Sequence, residues 1–278
     1  MSAFVLKLIA IIVMVVDHIA HVYGQNFTGI LFTGSLTASH DAVAFMRIIG
    51  RLTFPIMAFF VAEGCRKTSS IQKYMVRLFG FAMLSQIPFT LASDAHNRLG
   101  TVNGFAQFGT HLTILDIGSL NVLFTLGLGV LAIYLFEKYN RRTLSCILAG
   151  LVIIAGGLLN VDYSFLGVLL VFTAYVFPTR KTQLLGMAVV LSVLYLWFAG
   201  GLQSTLNILS TPRPVLDNIV SATLYGFGQW LAALSSLLLL NLYNGERGKK
   251  VKYLFYAFYP AHFLILAAIR EIARLNIG

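Results

Sequence analysis

Two side chains able to do chemistry stand on the first hydrophobic stretch, Phe4 to Tyr23. It is apolar but for Lys7 near its start and, near its end, Asp17-His18 and then His21. His18 carries an imidazole, whose ordinary pKa of about 6.5 lets it take or give a proton near neutrality. Lys7 precedes it by eleven residues, about three turns of α-helix, so the two share a face about 16 Å apart along the axis. Ile11, Met14 and Val15 line the face between them. A cation at one membrane surface, an imidazole towards the other and a greasy stripe between them suit a long donor with an anionic head and a reactive tip. The same spacing also suits a lysine snorkelling at the interface and a histidine bonded to another helix. Spacing alone leaves both readings standing.

Other polar residues fall inside apolar stretches, where an unpaired, unhydrated charge costs several kcal/mol. Arg47 and Arg51 are four apart on the second stretch and face the same way. They need acceptors, and Asp17 is the nearest acid at similar depth, so Asp17 pairs with Arg47 or Arg51. Sequence neighbours on a helix do not face each other, so Asp17 is not expected to orient His18 directly. For Arg47 a buried ion pair locking two helices competes evenly with a functional role, whereas Arg51, deeper in the helix, favours function. Phe54-Pro55 places a proline in the second helix and predicts a kink there. Glu63 reads as an interface carboxylate. Arg66 and Lys67 read as topology signals placed where an anionic cytosolic donor would dock.

The third apolar stretch ends Ser85-Gln86-Ile87-Pro88-Phe89, a polar, proline-broken half. The fourth begins at Asn121, the sixth at Asp162-Tyr163, and the ninth carries Tyr259-Pro260-Ala261-His262. His262 alone reads as a histidine bonded to a neighbouring helix. Together with Asp17, His18, Arg51, Asn121 and Asp162 it points to one shared cavity. No metal site is expected.

The elements that hold these residues are membrane helices. The chain of 278 residues is 58% hydrophobic and only 11% charged, with a mean hydropathy of +0.82. Its apolar runs approach or exceed the roughly 20 residues that cross a bilayer. The net charge of +10 does not indicate nucleic acid, because the basic residues lie in short loops between apolar runs. Cys65 and Cys146 imply no disulfide framework. The first stretch is long for a signal peptide, contains Asp17-His18 and lacks a small-x-small cleavage site, so it reads as a retained anchor.

About nine helices are expected, near 4–23, 42–64, 72–93, 119–137, 143–160, 163–178, 182–200, 218–243 and 252–271. The sixth is short for a full span. Longer polar or mixed loops cover 24–41, 94–118 and 201–217. Alternate connections hold Lys7; Arg66, Lys67, Lys73 and Arg77; Lys138, Arg141 and Arg142; Arg180 and Lys181; and Arg247, Lys249, Lys250 and Lys252. The opposite connections hold only Arg98, Arg213, Arg270 and Arg274. Fourteen against four places the N-terminus in the cytoplasm and the C-terminus outside. The fold class is therefore all-α: one polytopic, multi-pass membrane helix bundle over 1–278.

Six landmarks occur in order along nearly the whole chain: Val16-Asp17-His18-Ile19, Gly50-Arg51-Leu52-Thr53-Phe54-Pro55-Ile56, Gln86-Ile87-Pro88-Phe89, Asn121-Val122-Leu123-Phe124, Tyr163-Ser164-Phe165-Leu166-Gly167 and Phe258-Tyr259-Pro260-Ala261-His262. In these the chain resembles the TraX proteins, named after the membrane acetylase that modifies conjugative pilin. The Lys7-to-His18 spacing is also similar to the basic-residue-then-His motif of the wider class of integral-membrane acyltransferases. The resemblance implies an acetyltransferase that takes acetyl-CoA from the cytoplasm and modifies an amine or hydroxyl on the far side. The acceptor would be an exported protein such as a pilin, or a surface glycan.

On that resemblance His18 is the expected general base, with an acetyl-histidine intermediate as a variant. Arg51, Asn121 or His262 would stabilise the oxyanion, and Asp17 would fix helix two or tune His18. Lys7, Arg66 and Lys67 would hold the coenzyme's phosphates, with Arg47 and Glu63 counted among the donor-site residues. A second reading is an ion- or proton-coupled transporter relaying charge through the buried Asp, Arg and His. The absence of an internal repeat and an odd span count argue against it. A merely structural subunit leaves the charged cluster without a purpose.

Overall fold

In the computed structural model the described residues are 1–31, 36–97, 119–198, 216–249 and 252–277. Among them the regular structure is helical, with one isolated parallel bridge between Leu120 and Val161. The helices are α1 (Ala3–Leu31), α2 (Leu36–Gly50), α3 (Thr53–Lys67), α4 (Ile71–Asn97), α5 (Val122–Lys138), α6 (Arg142–Leu158), α7 (Ser164–Val176) and α8 (Arg180–Ser192). A π-helical turn, Val193–Phe198, extends α8. The last two are α9 (Leu216–Asn241) and α10 (Lys252–Ile277). Within the described residues four stretches are long and apolar enough to cross a membrane: Ala3–Gly24, Asp41–Lys67, Ile71–Ala92 and Val220–Asn241. Large apolar side chains such as Ile12, Val76, Leu185 and Leu238 stand exposed on these and other helices, which suits a lipid solvent.

The helix expected at 42–64 is divided, and not at Pro55 itself. α2 ends at Gly50, and Arg51 and Leu52 turn with amides bonded to Ile48 O and Ile49 O at 3.1 Å each. α3 then starts at Thr53. A proline ring clashes with the carbonyl four residues back, and for Pro55 that carbonyl belongs to Arg51. The break falls where the clash would be, which leaves Pro55 in the first turn of α3, where its missing N–H costs little. The Thr53 hydroxyl donates to Ala10 O of α1 at 3.1 Å.

Other boundaries shift by a few residues. The segment 24–41, read as a loop, is helical on both sides of 32–35: α1 continues past Gly24 and α2 begins at Leu36. Gly24 joins the two runs of α1 at φ 51° and ψ −137°, a left-handed conformation that glycine alone adopts without a Cβ penalty. α4 continues through Pro88, and α10 through Pro260. The short sixth helix is shorter still, the 13 residues of α7. Most of 94–118 and 201–217 lies outside the described residues, as do Arg98, His111 and Arg213.

The chain forms two compact units. The first comprises Met1–Ile56, Pro88–Gly104 and Tyr195–Gly278, and the second Met57–Ile87 and Phe105–Leu194. In the first unit α1 packs along α2, and the chain's first residues pair with the segment after α9. Ala3 N donates to Glu246 O at 2.8 Å and Asn244 N to Met1 O at 3.0 Å.

Gly50 sets the approach of α2 to α1, because a Cβ there would overlap the Asp17 carboxyl group. Gly50→Ala is therefore expected to destabilise the protein by about 1–3 kcal/mol through overpacking. Gly80→Ala, where nothing lies within 4 Å of the new methyl, should be neutral or stabilising by up to about 1 kcal/mol. Thermal unfolding in detergent checks both, and equal midpoints for the two variants would refute the close-approach argument.

Candidate functional site

Within the first unit α1, α2 and α10 bring four of the predicted site residues to one place. His18 Nδ1 lies 2.7 Å from His262 Nε2. The two rings are within 8° of parallel with centroids 4.9 Å apart. A nitrogen–nitrogen distance so much shorter than the centroid separation means that the rings meet edge to edge in nearly one plane. His262 Nδ1 lies 2.9 Å from Phe258 O one turn back on α10. Both ring nitrogens of His262 are thus engaged.

Aromatic faces close around the pair. Phe263 lies 4.5 Å from the His18 ring, Phe89 meets Phe263 edge-on at 5.4 Å, and Phe258 lies parallel to His262 at 5.1 Å. Such walls hold the rings in fixed orientations and exclude water. The His18 side chain is 16% exposed and that of Asp17 is 13% exposed.

The charges sit beside this pair. Arg47 Nη1 donates to Asp17 Oδ2 at 2.8 Å, closing the α1–α2 ion pair that matching depth predicts. The same oxygen lies 4.0 Å from His18 Nε2, beyond hydrogen-bond distance but close enough for a strong Coulombic effect at low dielectric. Asp17 and His18 thus come closer than helical adjacency suggests, though without a hydrogen bond between them. Arg51, at the α2 break, is buried at 6% exposure. Both arginines act electrostatically on the His18 ring. Among the described residues Nε2 of His18 has no hydrogen-bond partner, and the ring lies near the Asp17 carboxylate and within the electrostatic reach of two guanidinium groups.

Asn121 is spent locally in the second unit. It caps α5, its Oδ1 accepting from Leu123 N at 3.0 Å, while its Nδ2 donates to Ala82 O at 2.9 Å and Gln86 Oε1 at 2.8 Å. Asp162 belongs to the same unit, where its carbonyl accepts from the Thr125 hydroxyl. The Asn160–Ser164 turn is strained, with φ of 50°, 61° and 51° at Asn160, Tyr163 and Ser164.

The basic residues expected to hold an anionic donor have protein partners. Arg66 Nη2 donates to Ala174 O at 2.7 Å and Tyr175 O at 2.6 Å, and Nη1 meets Glu63 Oε2 at 3.4 Å. It thereby satisfies carbonyls at the C-terminal end of α7, which have no partners within the helix. Lys67 Nζ pairs with Glu63 Oε1 at 2.8 Å and is 56% exposed. Lys7 is half-buried on α1. Cys65 and Cys146 are both free thiols, and no group of His, Cys, Asp or Glu among the described residues could hold a metal ion. Gly50 and Phe258 stand in the sequence landmarks without a role assigned to either, and Phe263, the residue after His262, carries no signal in the sequence.

Residues 2–270 match a family model described as TraX protein. The chain is also 29% identical over 274 residues to a protein of Dichelobacter nodosus named probable fimbrial assembly protein FimC, serogroup H1. The match covers 97% of this chain and 96% of that one. No solved structure matches the chain significantly.

Proposed function

The chain belongs to the TraX family, and on that premise we propose that it is an integral-membrane acetyltransferase. It moves the acetyl group of cytosolic acetyl-CoA to an amine or hydroxyl on the external side of a bacterial inner membrane. The observation that carries this reading is the half-buried His18, held through Nδ1 by His262, with the Asp17 carboxylate 4.0 Å from Nε2 and Arg47 paired to that carboxylate. A general base needs a held ring, a free lone pair and fixed charges near the reacting atoms.

His18 Nε2 takes the proton from the acceptor as its nitrogen or oxygen attacks the thioester carbonyl. Negative charge gathers on the carbonyl oxygen, and Arg51 is the group assigned to it, because both ring nitrogens of His262 are engaged. The carbon–sulfur bond then breaks and the departing thiolate takes the proton back from His18. Asp17 steadies the transient imidazolium while Arg47 holds Asp17. The coenzyme runs along the α1 face from Lys7 to His18, its phosphates near Lys7. This route requires the orientation predicted by the loop charges, with Lys7 at the cytoplasmic surface.

The name of the Dichelobacter relative supports an exported fimbrial subunit as acceptor. Mass spectrometry of exported proteins and surface polymers, from cells with and without the chain, tests the reading. One acetyl group missing from a single polymer or protein in the cells without it is the expected result. Identical acetylation in both, together with no label transfer from radiolabelled acetyl-CoA to envelope fractions, would overturn it.

A further inference from the structure

His262 has an assignable job that is separate from touching substrate. Phe258 O is a carbonyl and can only accept a hydrogen bond. At 2.9 Å from it, His262 Nδ1 must carry the proton. A neutral His262 then has its lone pair on Nε2, so across the 2.7 Å contact His18 Nδ1 must be the donor. The chain of protons runs from His18 Nδ1 to His262 Nε2, and from His262 Nδ1 to Phe258 O. Its end is fixed by a backbone carbonyl that cannot reverse its role.

We propose that His262 is a positioning residue that holds His18 in the Nδ1–H tautomer, leaving the lone pair of Nε2 as the base. The inference rests on the reading of His18 as the general base, and it names what makes that base competent. A histidine in the opposite tautomer presents an N–H to the acceptor and can remove no proton. The near-coplanar rings match a hydrogen bond directed along the in-plane lone pair. Phe263 against His18 and Phe258 against His262 block rotation of either ring out of that plane. The order of pairing follows from the fold: α10 contributes both His262 and the carbonyl that sets its tautomer, while α1 contributes only the ring that is set.

Wild type and two variants of the protein in lipid nanodiscs test this, labelled with nitrogen-15 at histidine. Ring nitrogen shifts report the tautomer whether or not acetyl transfer has been measured, so failure here and failure of the functional reading are distinguishable. Wild type should show His18 protonated at Nδ1 alone. His262→Leu should lose that preference, with kcat for transfer from acetyl-CoA to an envelope fraction falling about 10²- to 10⁴-fold, the scale of a wrong-tautomer defect, and KM for acetyl-CoA unchanged. His262→Gln, whose Oε1 can accept from His18 Nδ1–H, should restore the tautomer and most of kcat. His18 protonated at Nε2 in wild type, or Nδ1–H retained in His262→Leu, overturns the proposal. So does His262→Gln restoring the tautomer without restoring kcat.

Discussion

His18→Asn is expected to lower acetyl transfer by about 10²- to 10⁴-fold, the usual contribution of a positioned general base, while leaving the protein folded. Asparagine is the informative replacement because its amide N–H₂ can take the place of His18 Nδ1–H against His262 Nε2, yet it has no basic nitrogen. His18→Ala should lose the same activity and in addition some stability. It leaves a buried His262 acceptor unpaired, at about 1–3 kcal/mol, and opens space against Phe263. The two variants therefore separate chemistry from packing: equal loss of transfer, unequal thermal midpoints. Label transfer from radiolabelled acetyl-CoA to envelope fractions, normalised to folded protein, measures the first. Wild-type transfer by His18→Asn would remove the imidazole from the mechanism.

What the sequence discloses here divides by range. The apolar runs and the Lys7-to-His18 spacing are local, and the helices they predict stand within a few residues of the observed α5, α6 and α7 and of α1 as far as its kink at Gly24. The Asp17–Arg47 pair was legible because intramembrane charge demands a partner at the same depth and few candidates exist. Which arginine would take it was not, since Arg47 and Arg51 share a face. The break at Arg51-Leu52 was legible in kind, from Pro55, but its position depends on which carbonyl the ring would strike. The His18–His262 contact joins residues 244 apart, and no periodicity reports a contact between the first helix and the last. The expected docking role of Arg66 shows the converse. A cation near a helix end reads as available, and nothing local reveals that the carbonyls of Ala174 and Tyr175 hold it.

The ion pair between α1 and α2 should show the strongest non-additivity in the molecule. Asp17 and Arg47 side chains are 13% and 24% exposed and meet at 2.8 Å, so removing one partner leaves a mostly buried charge uncompensated. Asp17→Asn, which fits beside Gly50 because it keeps the carboxylate's shape, and Arg47→Met should each cost about 3–5 kcal/mol. Asp17 Oδ1 is buried without a hydrogen bond, so the native pair is itself only partly compensated. The double variant, with both charges gone, should then recover to within about 1 kcal/mol of wild type, a coupling well above the few tenths of non-interacting sites. Denaturant titration of the four proteins in one detergent gives that coupling, and additive losses would mean the two side chains stabilise the helices independently. Activity need not follow stability around the cycle. Asp17 Oδ2 is 4.0 Å from His18 Nε2, so a double variant that is stable but transfers acetyl slowly would locate the carboxylate's contribution in the imidazolium it faces. A double variant restored in both respects would reduce the pair to a lock between helices.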